Sequence, residues 1–460
     1  MRLEKIRKYY LVILLIIHLL INVTIYLNTN TFSEISESGS IFRAYDSLIG
    51  GNEIVLFWGY YFYAPAIMAF FINQFLGGGL LYYFLFQIIL STTTVYILYR
   101  VILFITNSKK QALISVILVI FYTEYNLLSS IFYNQIYEVF FVSIFLLFVI
   151  LFNDEKKVSN ILIYMFLLLL IIYFSMFFRK ALIFIYIIFV FLLLFNIKDK
   201  TNLLKFSIIT VVSFIILFIF NPYEIYNSRN LGNTETLFWG HTLYGGNGGE
   251  AAFMYPKNEE KYKEKLKQYI KVNNIDTLTQ DVINNFEFSE IKIFIKNEPH
   301  KWILLQIRKF IYTFGSVPQR DGLIMLYKGK INMHWVTSAL ILQIPYAIIL
   351  IMFLLCLDLN YKEIISNSYK RIIYSVGVYL IAGICFFGAY QERYRPVIFV
   401  CFFIPIISIN YLKIKNIFNK NNRKELIIKS AFILILIVIW IFQAYEAIVI
   451  YPGRYFKVVE

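Results

Sequence analysis

Apolar segments of about twenty residues recur along this chain, and no other feature restricts its fold as much. A helix needs roughly 20 mostly apolar residues to cross a bilayer. On that rule the segments near 9–27, 80–104, 111–127, 136–153, 159–178, 181–197, 205–221, 335–357, 372–390, 396–412 and 428–446 qualify, roughly eleven in all. Hydrophobic residues make up 59% of the 460, above the roughly 45–50% of soluble domains. The chain therefore reads as an all-α polytopic membrane protein with roughly eleven transmembrane helices.

The charges between the segments give a second, independent signal. The net charge is +15, and the basic residues fall in alternate loops: Lys109 and Lys110, Lys156 and Lys157, Lys198, Lys200 and Lys205, Lys370 and Arg371, then Lys413, Lys415, Lys420, Arg423 and Lys424. Cytoplasmic loops carry such an excess. It places residues 1–8, 105–110, 154–158, 198–205, 358–371 and 413–427 inside a plasma membrane and accounts for the basic balance without a nucleic-acid partner. The run 9–27 after MRLEKIRKYY is longer than a signal-peptide core, and no small-residue cleavage site follows it, so it reads as an uncleaved first span with a cytoplasmic N-terminus.

Three regions follow. Residues 1–221 form an N-terminal membrane module with a first outer loop at 28–79, 222–333 a large extracytoplasmic α-rich loop, and 334–460 the C-terminal spans. The large loop contains a Gly-rich section, GHTLYGGNGGE at 240–250, and a charged helix at about 258–272. It ends in an amphipathic stretch at 300–315 whose Ile303, Leu304, Ile307, Phe310 and Ile311 recur at helical spacing, suiting a helix half-sunk in the interface. Segment 56–79 has two readings: a short interfacial helix opened by Pro65, with its aromatic residues at headgroup level, or an ordinary second span. Cys356, Cys385 and Cys401 all sit in apolar segments and give no disulfide framework. His18, His241, His300 and His334 are scattered, which argues against a zinc site.

Ionisable residues at the outer ends of apolar segments are the candidate site, because placing them there is costly unless they face protein, water or a headgroup. ESGSIFRAYDSLIGG (37–51) carries Glu37, Arg43 and Asp46 and ends in a Gly-Gly helix stop, with Ser36 or Ser33 as its cap. On a helix, Glu37 shares a face with Ile41, Ala44 and Leu48, whereas Asp46 lies about half a turn away, so the two acids are not a dyad. Glu37 reads either as a catalytic acid or as a surface residue favoured by the helix dipole. Glu138 opens a span with no Lys or Arg in the adjacent loop, and Glu124 nearby reads as its solvent-facing counterpart. Arg179 and Lys180 interrupt a long apolar run, either to bind an anion such as a lipid phosphate or simply to snorkel to headgroups. Gln391-Glu392-Arg393-Tyr394-Arg395-Pro396 packs a carboxylate, two guanidiniums and a phenol into one short outer loop; Glu392 paired with one Arg would hold the other toward a phosphate.

The chain resembles bacterial membrane glycosyltransferases of the GT-C superfamily, the group that includes protein O-mannosyltransferases (family 39) and the lipid A aminoarabinose transferase. The likeness rests on Glu37 through Gly51 as a first-loop acid, helix and Gly, on Tyr63-Ala-Pro65 against a "YPP" segment, on Ile295-Lys-Asn-Glu-Pro299 through Lys309, on Glu392-Arg-Tyr-Arg-Pro396 against a late "E.RY..P" motif, and on Glu138 as an acid opening a span. Two departures are a Glu where the first-loop acid is usually Asp, and a single Pro65 in place of two prolines.

The resemblance implies an inverting transfer of a sugar from a polyprenyl-phosphate donor to an extracytoplasmic acceptor hydroxyl on a glycan, lipid or protein. Glu37 would be the base, with Glu138 and Asp46 as the other candidates. Arg179, Lys180, Arg393 and Arg395 would hold the phosphate beside Arg43 and Glu392, and Tyr63, Tyr394 and loop 240–250 would shape the pocket. No cofactor is implied, and a divalent metal is not needed. The alternatives are a surface polysaccharide polymerase and a lipid-linked sugar flippase or transporter; a transporter predicts inverted repeats and broken helices near the midplane, neither of which the sequence shows, and mid-span charges are absent.

Single cysteines introduced across 222–333 are expected to react with a membrane-impermeant thiol reagent from the extracytoplasmic side. Labelling from the cytoplasmic side alone would overturn the orientation.

Overall fold

A helix that is apolar on every side belongs inside a bundle, and Leu80–Thr106 is such a helix. The computed structural model describes residues 2–28, 36–51, 60–154, 158–178, 259–278, 280–315, 334–383, 394–417 and 423–445, with 182, 215, 247, 251–252, 255–256 and 326. In chain order the helices are α1 (Arg2–Asn28), α2 (Ser36–Ile49), α3 (Tyr60–Leu76), α4 (Leu80–Thr106), α5 (Lys109–Phe121), α6 (Thr123–Leu128), α7 (Gln135–Asp154) and α8 (Val158–Phe178). After a two-residue antiparallel ladder, Ala251–Ala252 with Tyr255–Pro256, come α9 (Glu259–Val272), α10 (Gln280–Asn297) and α11 (Pro299–Thr313). The last group is α12 (Trp335–Cys356), α13 (Tyr361–Ser366), α14 (Ser368–Ala382), α15 (Arg395–Ile398), a π-helical turn (Phe399–Phe403), α16 (Ile404–Ile417) and α17 (Arg423–Tyr445).

Helix α4 is the hub, packed against α1, α3, α5, α7 and α16. It starts from a sharp reversal in which Gly77, Gly78 and Gly79 all have positive φ (66°, 70° and 63°). Side chains resist that conformation, and at Gly78 a Cβ would also run into the Tyr82 ring. The Asn73 side-chain oxygen accepts from the Gly79 N–H at 2.8 Å and pins the turn. Farther along the chain, Gly377 of α14 lets the Phe402 ring lie flat against the backbone, where a Cβ would be 2.4 Å from it.

Six of the described helical stretches are long and apolar enough to cross a membrane: Tyr9–Asn28, Leu80–Thr106, Gln135–Phe152, Val336–Cys356, Arg395–Ile414 and Lys424–Gln443. The chain is thus an all-α, multi-pass membrane protein, and its described residues hold six such helices against the roughly eleven expected of the whole chain. Segment 111–127 is not one helix. α5 ends at Phe121, Tyr122 is extended (φ −80°, ψ 90°), and the short α6 restarts at Thr123. Asn126 stabilises the break by donating from its amide to the Ile120 carbonyl at 2.8 Å. Segment 159–178 is continuous in α8, 21 mostly apolar residues from Val158 to Phe178, and in 372–390 the residues after 383 lie outside the described ones. Segments 181–197 and 205–221 lie outside the described residues apart from 182 and 215. Pro65 does not open α3 but sits inside it, after Tyr60 to Ala64, where it removes the bond to the residue 61 carbonyl. The charged and amphipathic helices expected in the large loop are present as α9 and α11, with α10 between them.

Contacts sort the loops onto two ends. At one, Gln111 at the start of α5 donates to the Ser408 and Ile409 carbonyls, and Lys110 lies 5.7 Å from the Tyr411 ring centre. Lys429 of α17 donates to the Leu355 carbonyl at 2.7 Å. Between them Asp358, its side chain fully buried, takes Lys413 at 2.5 Å and Lys370 at 3.0 Å, and accepts from Asn410 at 2.9 Å. Glu363 joins the same two lysines at 2.8 Å each. This basic end gathers loops 105–110, 358–371 and 413–427, as alternate crossings require.

Burial pushes the Asp358 carboxyl up, but hydrogen bonds from Lys413, Asn410 and Lys370 outweigh it and hold the group below the usual carboxylate value. Hydrogen bonds from Lys370 and Lys413 likewise hold Glu363 low. Folded-state values depressed in this way give stability that is present above about pH 4 and lost as pH falls through them. Melting in detergent is therefore expected to drop on acidification below about pH 4. Asp358→Asn, which strips a buried partner from two lysines, is expected to cost about 3 kcal/mol and to flatten that acid dependence; an unchanged acid limb would show that the network does not set it.

Candidate functional site

Helix α2 stops as its sequence dictates. The Gly50 N–H donates to the Asp46 carbonyl at 3.0 Å, the Gly51 N–H donates to Leu48 at 3.2 Å, and Gly51 takes φ 68°. Ser36 is the first residue of the helix rather than a cap before it. Ile41, Ala44 and Tyr45 are buried, while Arg43 and Asp46 are exposed. Position 37 falls on the Ile41–Ala44 stripe, about half a turn from Asp46. The helix register therefore puts the two acids on opposite faces, with Asp46 on the solvent side.

From α2 the contacts lead to the start of α7. The Tyr45 ring meets Phe132 at 6.3 Å, and Phe132 stacks on Tyr83 at 4.8 Å. The Tyr137 hydroxyl donates to the Tyr83 hydroxyl at 3.2 Å, and the Tyr137 ring stacks on Phe178 at 4.1 Å. Glu138, next to Tyr137, is buried in the first turn of α7. This aromatic column brings α2, α4, α7 and α8 together beside the first turn of α7. Arg179 and Lys180, which follow Phe178, lie outside the described residues, as do Gln391, Glu392 and Arg393. Tyr63 is in α3, and of the Gly-rich stretch 240–250 only Asn247 is described.

The strongest electrostatic feature lies on the same end of the bundle. Glu124 is not a solvent-facing acid: it and Arg395 both have fully buried side chains, with Arg395 Nη1 3.5 Å from Glu124 Oε1. The Tyr122 hydroxyl donates to Glu124 Oε2 at 2.9 Å. The Arg395 guanidinium lies over the Tyr346 ring at 4.8 Å, and Phe399 stacks on both Tyr346 (4.9 Å) and Tyr122 (5.1 Å). Trp440 closes this aromatic wall, 6.0 Å from Tyr346. Arg395 is therefore inside the bundle rather than in an open loop, and Tyr394 beside it is half-buried.

An open-sided cavity of about 660 Å³ adjoins this cluster. It is lined by Ile21 and Ile25 of α1, Ile117 and Phe121 of α5, and Leu340 and Ile344 of α12, with Thr123, Asn126 and Pro345 beside the Glu124 and Tyr346 positions. Polar side chains back it: Ser129 Oγ donates to Asn22 Oδ1 at 2.7 Å, Asn22 Nδ2 donates to the His18 carbonyl at 2.8 Å, and the buried His18 ring lies 3.2 Å from Thr92 Oγ1. Among the described residues, no three His, Cys, Asp or Glu side chains lie close enough to hold a metal ion.

Sequence reading missed Tyr122, Tyr346 and the role of Glu124, and took His18 only as a scattered histidine. A signal existed for the last: His18 and Asn22 stand four apart in an otherwise apolar span and so share a face. A scan against models of protein families finds no match, and a search of curated proteins finds no relative of this chain.

Removing one partner of a buried pair costs about 3–5 kcal/mol, whereas replacing both with apolar groups costs far less. Glu124→Leu and Arg395→Met are each expected to lower the melting temperature sharply, and the double variant to recover most of that loss. Simple additivity in this cycle would mean that the two side chains are not energetically coupled.

Proposed function

We propose that this protein is an inverting glycosyltransferase that moves a sugar from a polyprenyl-phosphate donor to an acceptor hydroxyl outside the cytoplasm. The observation that carries this reading is the Arg395–Glu124 pair set beside an apolar, open-sided cavity, on the bundle end where α2 and Glu138 also lie. In this reading the basic end faces the cytoplasm, in keeping with the lysine-rich loops. The full set of roughly eleven crossings and the GT-C-like plan belong to the same proposal.

The chemistry is a single displacement. A carboxylate takes the proton of the acceptor hydroxyl, the oxygen attacks the anomeric carbon, and the bond from that carbon to the phosphate oxygen breaks. The products are the glycosylated acceptor and polyprenyl phosphate. Glu37 is the assigned base because its position lies on the packed stripe of α2, whereas Asp46 faces solvent. Glu138 is the second carboxylate at the site. Arg395 supplies positive charge as the phosphate departs, with Arg179, Lys180 and Arg393 as further cations and Arg43 and Glu392 beside them. Tyr63, Tyr394 and the 240–250 loop border the sugar and acceptor. The lateral cavity takes the first part of the polyprenyl chain.

Transfer of labelled sugar from polyprenyl-phosphate donors by the purified protein tests this. Glu37→Gln is expected to lower turnover by about 10²–10⁴-fold, the usual worth of a general base, with an unchanged melting curve. Full activity in both Glu37→Gln and Glu37→Ala, with activity lost in Glu138→Gln, would move the base to Glu138. Arg395→Lys is expected to lower activity because an ammonium does not reproduce the planar guanidinium. A folded Arg395→Lys variant with undiminished transfer would remove Arg395 from phosphate stabilisation.

A further inference from the structure

Helix α4 turns one stripe outward, and that stripe carries a single charge. Ile89, Tyr96 and Phe104 on it are 58%, 39% and 38% exposed, and Thr93 between them donates its hydroxyl to the Ile89 carbonyl at 2.8 Å. Residues three and four apart share a side of a helix, so Arg100 stands on the same stripe, one turn from each ring, and is half-buried. The exposed side of a helix that crosses a membrane meets lipid, and α4 is such a helix. Its 27 residues make a rod of about 40 Å, against a hydrocarbon core of about 30 Å. Arg100 lies about 9 Å before the end of the helix at Thr106, and Lys109 and Lys110 follow. The guanidinium therefore sits where hydrocarbon gives way to lipid phosphates, in the leaflet at the basic end.

The guanidinium is held in place there. Its Nη1 donates to the Tyr96 hydroxyl at 3.0 Å, and its central carbon lies 6.0 Å from the Tyr96 ring centre and 5.3 Å from that of Phe104. Tyr96 is one turn deeper in the span, whereas an arginine that merely snorkels extends its head toward the nearer water. A guanidinium has five N–H donors and no acceptor. Among the described residues no carboxylate pairs with Arg100, so most of these donors are uncommitted. The Tyr96 oxygen accepts one of them and keeps its own O–H to donate. The stripe thus offers one positive charge and a group of donors, with apolar rings around them, and donors facing lipid are costly until they find an acceptor. A lipid phosphodiester is the complementary set: it has acceptors only, a negative charge, and two unesterified oxygens that match the planar fork of an arginine.

We propose that Arg100 and Tyr96, with the Phe104 ring on the other side of the guanidinium, form a binding site for the phosphate of a glycerophospholipid in the leaflet at the basic end. The site shares no residue with the Arg395 cluster, lies at the opposite end of the bundle, and does not depend on the transferase reading.

Full-length protein in neutral detergent is titrated with phosphatidylglycerol, with diacylglycerol as the phosphate-free control, and with inorganic phosphate, and bound lipid is counted by native mass spectrometry. The chain carries a net charge of +15, so the site is read from differences between variants. The first phosphatidylglycerol is expected to bind at least about tenfold more tightly than diacylglycerol, and Arg100→Gln to lose most of that preference, since a charged hydrogen bond is worth a factor of this size. Lys109→Gln, which removes an equal charge from the exposed start of α5, is expected to keep it. Tyr96→Phe leaves the guanidinium but removes the hydroxyl that positions it; a smaller, measurable loss is expected, and this variant supplies the readout if Arg100→Gln folds poorly. Equal binding of diacylglycerol and phosphatidylglycerol, an undiminished preference in Arg100→Gln or, where that variant does not fold, in Tyr96→Phe, equal losses in Arg100→Gln and Lys109→Gln, or inorganic phosphate binding as tightly as phosphatidylglycerol would overturn the proposal.

Discussion

The ion pair between Arg395 and Glu124 joins residues 271 apart in sequence, and both side chains are fully buried. Removing two charges from water costs more than their attraction returns unless further groups complete the geometry. Here the Tyr122 hydroxyl holds the second carboxylate oxygen, and the Tyr346 ring lies under the guanidinium. The break between α5 and α6 lies at the same place. A continuous helix through 122 would not leave Tyr122 extended, two residues before the acid that its hydroxyl holds. The local irregularities of the bundle thus gather around one charge that has to be neutralised.

The two ends handle charge differently. At the basic end, Lys413 remains 39% exposed and Glu363 42% exposed, so their contacts are softened by water and salt. Asp358 is the buried anchor of that network, and around it the ends of α12, α14 and α16 are tied together. At the opposite end the charges are enclosed by aromatic rings and bordered by an apolar cavity. Helix α4, buried along much of its length, runs between these two electrostatic settings.

Much of the architecture was legible because membrane burial leaves a strong mark on sequence. Uninterrupted apolar runs gave α1, α4, α7, α12 and α17, and the Gly-Gly stop of α2 is present as expected. The amphipathic spacing of 300–313 likewise gave α11 and its exposed apolar face. Hydropathy could not show that 111–127 is broken, because the break depends on an acid's distant partner and on the Asn126 side chain. Nor could it distinguish an outer-loop arginine from one folded inward. Arg395 follows a run of polar residues, yet its surroundings are set by Tyr346 and Phe399, one of which lies on another helix. Glu124 looked exposed for the same reason: local sequence reveals a charge, while its burial is a tertiary fact.

The π-helical turn at Phe399–Phe403 follows directly on Arg395–Ile398. Such a turn amounts to one extra residue within an otherwise α-helical run, and each residue of an α-helix turns the chain by about 100°. The extra residue therefore offsets the angular phase between Arg395 at one end of this span and Lys413 at the other by that amount. With the offset in place, Arg395 meets Glu124 and Lys413 meets Asp358. Loss of a single amino acid from this turn would leave the span equally apolar and nearly equally long, yet one of its two ends would face the wrong neighbours. In this span, then, residue number is under a tighter constraint than residue identity.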